Sequence, residues 1–168
     1  MYVPRPDARI FYQVTGSATR DLVLLPPCYP IVHGRMWKLQ VPYLSRRFRV
    51  VTLDFRGNGR SDRPPLGYDF ETMYGDLCAV LDVAARPPFA LVGYSCSNML
   101  ALRYVTEHPD RVSHFVMVSP EYSQPIPEPF DEKFAPPILR DYDGYLRRFY
   151  TAMYPEPHSL KAIEDGIA

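Results

Sequence analysis

Phe89-Ala90-Leu91-Val92-Gly93-Tyr94-Ser95-Cys96-Ser97-Asn98-Met99 is the stretch whose reading decides the fold. Its first four residues are apolar and stop at a glycine, which suits a strand covered on both faces. Met99 to Glu107 reads as a helix ended by His108-Pro109. Between strand and helix lies a Gly-x-Ser-x-small turn. Such a reversal holds its turn residue in a strained conformation with the side chain projecting, and its flanks must be small so that strand and helix can approach. The helix N-terminus brings partial positive charge and N–H groups to the serine oxygen. The backbone N–H of Cys96 would then face an oxyanion developing on a substrate held at Ser95. A bare Gly-x-Ser-x-Ser match arises often by chance, so the strand before it and the helix after it carry its meaning. Ser97 stands where a second glycine is usual, and serine is small enough to be tolerated.

Working outward, similar apolar runs recur. Ala8 to Thr15 partly alternates and stops at Gly16-Ser17, as a half-exposed strand does. Leu22 to Leu25, Val50 to Leu53 and His114 to Val118 read as buried strands. Helical patterns fall between them. Trp37, Val41 and Leu44 share a face that Pro42 should bend or shorten. Met73, Leu77, Val80, Leu81 and Ala84 share another, with Asp69 as N-cap. Strands alternating with helices predict an α/β fold, a mostly parallel sheet of about six strands. After Pro120 the character changes. Prolines 120, 125, 127, 129, 136 and 137 crowd a stretch that cannot be regular throughout, and helices are expected over 139–154 and from 159 onward. The expected division is a core over 1–120 and a Pro-rich linker with a helical portion over 121–168.

The bulk properties narrow the function classes. The 168 residues suit one domain with a real core, and 19 basic side chains balance 19 acidic ones. No basic stripe supports a nucleic-acid partner. No apolar run approaches the ~20 residues that span a bilayer, so no membrane partner is expected. Cys28, Cys78 and Cys96 fit neither a disulfide framework nor a CxxC metal site. They read as reduced thiols of a cytoplasmic protein, and neither a metal nor another cofactor is implied.

Further motifs add a resemblance. Asp54-Phe55-Arg56-Gly57-Asn58-Gly59-Arg60-Ser61-Asp62 resembles the D-x-R-G-x-G-x-S turn after the fourth strand of many α/β-hydrolases. Glu107-His108-Pro109-Asp110-Arg111-Val112 resembles the family's E-x-P-x-R-V step. With the Ser95 turn, three motifs stand in the family's order, over about Ile10 to Pro120. Ile31-Val32-His33-Gly34-Arg35-Met36-Trp37-Lys38, Gly57 to Pro64 and Pro155 to Ser159 are similar to bacterial hydrolase-like domains, some fused to nucleotide-cyclase or regulatory modules. The later part resembles the lid inserted after the sixth strand.

The resemblance implies acyl transfer on an ester, thioester or similar carbonyl of a small apolar substrate, with Ser95 as nucleophile. A serine there argues against the aspartate-nucleophile chemistry of dehalogenases and epoxide hydrolases. The second oxyanion donor of the fold comes from the loop after the third strand. Pro26 and Pro27 have no N–H to give, which leaves the Cys28 amide. The Cys28 thiol itself reads as a small packed group. His33, Tyr94 and Phe55 are candidates for the pocket lining. Glu121, following the sixth strand, is a weak candidate for the triad acid; a solvated loop carboxylate is the alternative.

The family's chain order is Ser, then acid, then His. Downstream of Ser95 stand only His108, His114 and His158. His108 ends the helix that starts at the turn, His114 opens the sixth strand at its far end, and His158 lies in the lid-like part. The expectation is an α/β-hydrolase core truncated before its last two strands, impaired for want of the triad histidine. Its sixth strand would then be an open apolar edge that invites self-association. The alternative is a non-catalytic ligand-sensing or interaction module.

Overall fold

The computed structural model describes residues 1–29, 31–120, 140–154 and 160–167. The chain divides into two compact units, Met1–Glu121 and Tyr122–Ala168.

The first unit holds six strands: β1 (Tyr2–Pro4), β2 (Arg9–Thr15), β3 (Asp21–Leu24), β4 (Arg49–Leu53), β5 (Phe89–Tyr94) and β6 (Val112–Val118). They form one sheet in the order β1-β2-β4-β3-β5-β6. The β3·β4, β3·β5 and β5·β6 pairs are parallel, whereas β1·β2 and β2·β4 are antiparallel. The mostly parallel six-stranded sheet expected from the sequence is therefore present. The addition is β1, three residues too short to show alternation; it exists because Tyr2, Val3 and Pro4 pair with Phe11, Ile10 and Arg9.

Three helices connect the parallel strands. A 3-10 turn over Gly34–Trp37 and a short helix α1 (Gln40–Leu44) replace the single helix that Trp37, Val41 and Leu44 suggested. Pro42 lies within α1, whose five residues are all that the pattern supports. Helix α2 (Phe70–Ala84) starts at Asp69, whose carboxylate accepts hydrogen bonds from the Thr72 N–H at 2.9 Å and the Thr72 hydroxyl at 2.7 Å. Helix α3 (Ser97–Glu107) stops at His108, before Pro109.

Alternation along the strands sends side chains to two apolar layers. On one face Val23, Val51, Leu53, Phe89 and Leu91 meet Leu77, Val80 and Leu81 of α2 and Leu100 and Tyr104 of α3. On the other, Leu22, Leu24 and Val50 pack with Trp37, Val41 and Leu44. Strand β3 is buried throughout. At the far side β6 is the last strand of the sheet among the described residues, with Val116 49% and Met117 40% exposed.

The second unit contains α4 (Tyr142–Met153), capped by the Asp141 carboxylate on the Gly144 N–H at 2.9 Å, and α5 (Leu160–Ile167). Both agree with the sequence pattern. The Pro-rich stretch 121–139 and residues 155–159 lie outside the described residues. No described helix is long and apolar enough to cross a membrane.

One polar cluster ties the loops to the helices. Arg56, 1% exposed, donates to both carboxylate oxygens of the fully buried Asp76 at 2.6 and 3.0 Å, and also to Asp7. Arg5 reaches Asp76 as well, at 3.0 Å. These bonds hold the Arg56 guanidinium well above its ordinary pKa, with Asp76 the main cause and burial opposing. Removing one partner of such a pair strands a buried charge. We expect Asp76→Ala to lower unfolding free energy by about 3–5 kcal/mol in urea titration, since Arg56 would keep only Asp7.

Candidate active site at the β5–α3 turn

In an open parallel sheet, ligands bind beyond the carboxyl ends of strands where the connections diverge to opposite sides. Here the divergence lies between β3 and β5: the chain leaves β3 toward β4, and leaves β5 toward β6. Leu25 extends the ladder by donating from its N–H to Val92 O at 2.9 Å, so the loop Pro26 to Tyr29 departs beside β5. Two segments therefore flank that crevice, the loop after β3 and the turn at Ser95.

Ser95 has φ +54°, in the left-handed region, and is half-buried. For a residue with a β-carbon this costs on the order of 1–3 kcal/mol, and it persists only where neighbours over-determine it. The neighbours are visible. Ser95 N–H donates to Val118 O at 3.0 Å, joining the turn to the end of β6, and Ser95 O accepts from Asn98 N–H at 3.1 Å. Cys96 already has helical dihedrals, so the chain changes from strand to helix within one residue. At Gly93 a β-carbon would stand 2.5 Å from Asn98 Oδ1 and 3.1 Å from Asn98 Cα, which explains the glycine before the serine. Ser97 explains itself too. Its buried hydroxyl accepts from Tyr94 N–H at 3.0 Å and lies 2.9 Å from Tyr94 O, its acceptor, bridging a turn that glycine would leave unbraced.

The loop after β3 is held by the Asp54 turn. Asp54 accepts from Gly34 N–H at 2.7 Å through one carboxylate oxygen and from Arg60 N–H at 2.9 Å through the other. Ser61 donates its hydroxyl to Asp54 O at 2.6 Å and accepts from Phe11 N–H at 2.8 Å. Gly59 is left-handed at φ +50°, and a β-carbon there would lie 2.2 Å from the Asp54 carboxylate. The Asp-x-Arg-Gly-x-Gly-x-Ser pattern is thus a brace: its acid, serine, arginine and glycines fix the loops at the sheet's carboxyl edge.

Cys96 sits at the first turn of α3, immediately after Ser95. Cys28 follows the two prolines beyond β3, and its side chain packs against the main core. Tyr94 packs edge-on to Trp37 with ring centroids 6.1 Å apart. His33 caps the 3-10 turn, its Nδ1 accepting from Arg35 N–H at 3.4 Å. Burial lowers the His33 pKa, the Asp54 charge opposes this, and Arg35, Arg60 and Arg63 lower it further, which favours the neutral ring. Phe55 is a correction. It is fully buried within the main core, because it follows β4 on the inward side, and so it is not available to line a pocket. Glu121 and His158 lie outside the described residues. Asn98 was not singled out from the sequence; its signal would have been a polar amide where the helix must pack closely on the strand.

The remaining histidines stand away from the turn. His114 is paired with Ala90, about 16 Å back along β5 from Ser95. His108 lies at the far end of α3, about 16 Å along the helix from Ser97, with its ring 4.6 Å from that of Tyr104. Among the described residues, no side chain hydrogen-bonds the Ser95 hydroxyl, and no group of three His, Cys, Asp or Glu could hold a metal ion.

Ser95 thus stands on a left-handed strand-to-helix turn at the carboxyl edge of a 1-2-4-3-5-6 sheet. The chain belongs to the α/β-hydrolase fold family, whose model matches residues 21–159. It is 35% identical over 121 residues to a putative carbamate hydrolase of Caulobacter vibrioides, covering 70% of this chain and 44% of that protein. It is 32% identical over 129 residues to the (lyso)-N-acylphosphatidylethanolamine lipase of Bos taurus, covering 71% of this chain and 36% of that one. Among solved structures it is similar to an esterase from Exiguobacterium antarcticum, with TM-score 0.80 and 24% identity, covering 99% of this chain and 65% of that one. The chain thus spans less than half the length of these two curated relatives.

Gly93→Ala should destabilise the fold by about 1–3 kcal/mol, the usual cost of overpacking, measured by thermal or urea unfolding. The nearest obstacle is the buried Asn98 amide, which cannot swing into solvent.

Proposed function

We propose that this chain carries the nucleophile of a serine hydrolase acting on an ester, thioester or similar carbonyl of a small apolar substrate. The observation that carries the reading is Ser95, left-handed and half-buried at the carboxyl end of β5, beside the crevice where the strand order diverges. The Ser95 oxygen attacks the carbonyl carbon, its proton passes to a base, and the leaving alcohol or thiol departs to give an acyl-enzyme. Water then releases the acid and restores the serine. The Cys96 and Cys28 amides are the proposed oxyanion donors, one from the start of α3 and one from the loop after β3. Glu121 is the proposed acid. The similarity to a putative carbamate hydrolase and to a (lyso)-N-acylphosphatidylethanolamine lipase supports carbonyl substrates as the class.

With no described histidine against Ser95, turnover by this chain alone is expected to be slow. Dismantling a triad costs on the order of 10⁶ in kcat and leaves roughly 10³–10⁴ over water. The second reading is a non-catalytic ligand-sensing or interaction module. A third aspect concerns association. Strand β6 carries no Lys, Arg or Pro over its seven residues and ends the sheet among the described residues, which supports pairing with a second copy.

A fluorophosphonate probe is expected to label the wild-type protein at Ser95, and Ser95→Ala to abolish labelling, read by intact-mass spectrometry and peptide mapping. Saturable binding of a small apolar ester with no labelling would favour the module instead. For association, Val116→Lys should shift the protein to monomer in light scattering at concentrations where wild type self-associates; wild type that stays monomeric throughout removes the idea.

A further inference from the structure

Among the described residues, two other than glycine have left-handed backbones, Ser95 at φ +54° and Ser119 at φ +43°. They lie 24 positions apart in sequence, yet a single side chain sits between them. Asn98, 3% exposed, donates from Nδ2 to Ser95 O at 2.9 Å and to Val118 O at 3.1 Å. Val118 O also accepts the Ser95 N–H. One amide group therefore bonds the carbonyl of the first strained residue and the carbonyl that immediately precedes the second. Its orientation is fixed by the chemistry of its partners: both are carbonyls, so a flipped amide would set oxygen against oxygen. The arrangement has a cost, since Asn98 Oδ1 is buried with no partner among the described residues. A group retained with an unsatisfied buried acceptor points to what its donor side holds in place.

We propose that Asn98 is a positioning residue, whose amide clamps the tips of β5 and β6 and so holds Ser95 in the orientation that presents its hydroxyl. This rests on the reading of Ser95 as nucleophile for its consequence in reactivity, while the clamp itself can be observed without it. Main-chain bonds alone leave both carbonyls free to tilt as the two serines relax toward ordinary dihedrals. The amide opposes both movements at once, and couples the elbow to the loop that leaves β6.

The test compares wild type with Asn98→Ala, Asn98→Asp and Leu100→Ala. Leu100 is buried on the same helix and makes no contact to the turn's carbonyls in the hydrogen-bond network, so its truncation reports general loosening. Two quantities are read: the fluorophosphonate labelling rate at Ser95, and the amide-exchange protection of the Ser95 N–H by NMR. Asn98→Ala is expected to lower both by about tenfold or more, and Leu100→Ala to change them by less than about twofold. Asn98→Asp supplies a signature that a purely packing role would not. Its neutral carboxyl can donate one hydrogen bond, whereas the ionised form repels both carbonyls. Relative to wild type at each pH, labelling and protection should fall as pH rises through the introduced acid's titration.

Equal losses in Asn98→Ala and Leu100→Ala, or a flat Asn98→Asp ratio, overturn the proposal. If Asn98→Ala does not fold, the Asn98→Asp ratio decides. If wild type is never labelled, the nucleophile reading fails and protection of the Ser95 N–H alone settles the clamp: lost in Asn98→Ala it stands, retained it falls.

Discussion

A strand that becomes a helix within one residue cannot satisfy its own backbone, and the rest of this structure is arranged around that constraint. At Ser95 the ladder bonds of β5 end before the helical bonds of α3 have begun. The turn is held from outside, by the Val118 carbonyl at the end of β6 and by side chains from the first turn of α3. That need explains the small residues around it. Gly93 leaves room for the Asn98 amide, and Ser97 supplies a hydroxyl to both polar groups of Tyr94. The strained φ is the visible result: local backbone preference is overruled by four neighbours acting together.

The same logic runs through the turn after β4, by different means. Asp54 spends both carboxylate oxygens on backbone N–H groups, one in its own turn and one twenty residues earlier in the loop after β3. Arg56 turns inward to Asp76 on α2. A loop that carries so many polar groups is stable only if each is paired, and here the pairing also sets the loop's position. Family motifs around a site are often read as chemistry. In this chain the Asp54–Ser61 motif bonds the turn after β4 to the loop after β3 and to β2.

Much of this was legible in the residues. The apolar runs gave β3, β4 and β5 because a strand buried on both faces has to be continuously apolar, whereas β6 has the same kind of run yet is largely exposed, and the Ser95 turn showed because only small residues fit where strand and helix touch. Asp69 showed as a cap because its carboxylate acts on an N–H three residues away. What was missed depends on partners distant in sequence. Strand β1 is a strand only through β2. Phe55 resembled a pocket residue by its place beside a functional-looking motif, but the inward turn after β4 buries it. Asn98 showed only as a polar amide beside the turn, since one of its two partners, Val118, lies twenty positions on.

The sequence by itself determined the element order, the apolar layers and the identity of the serine at the turn, because periodicity, capping and steric fit act over a few residues. Only the tertiary structure decided which loops meet and which polar groups brace the turn. Those outcomes depend on strand order and register, and a parallel sheet brings together carbonyls and amides that the chain keeps tens of residues apart.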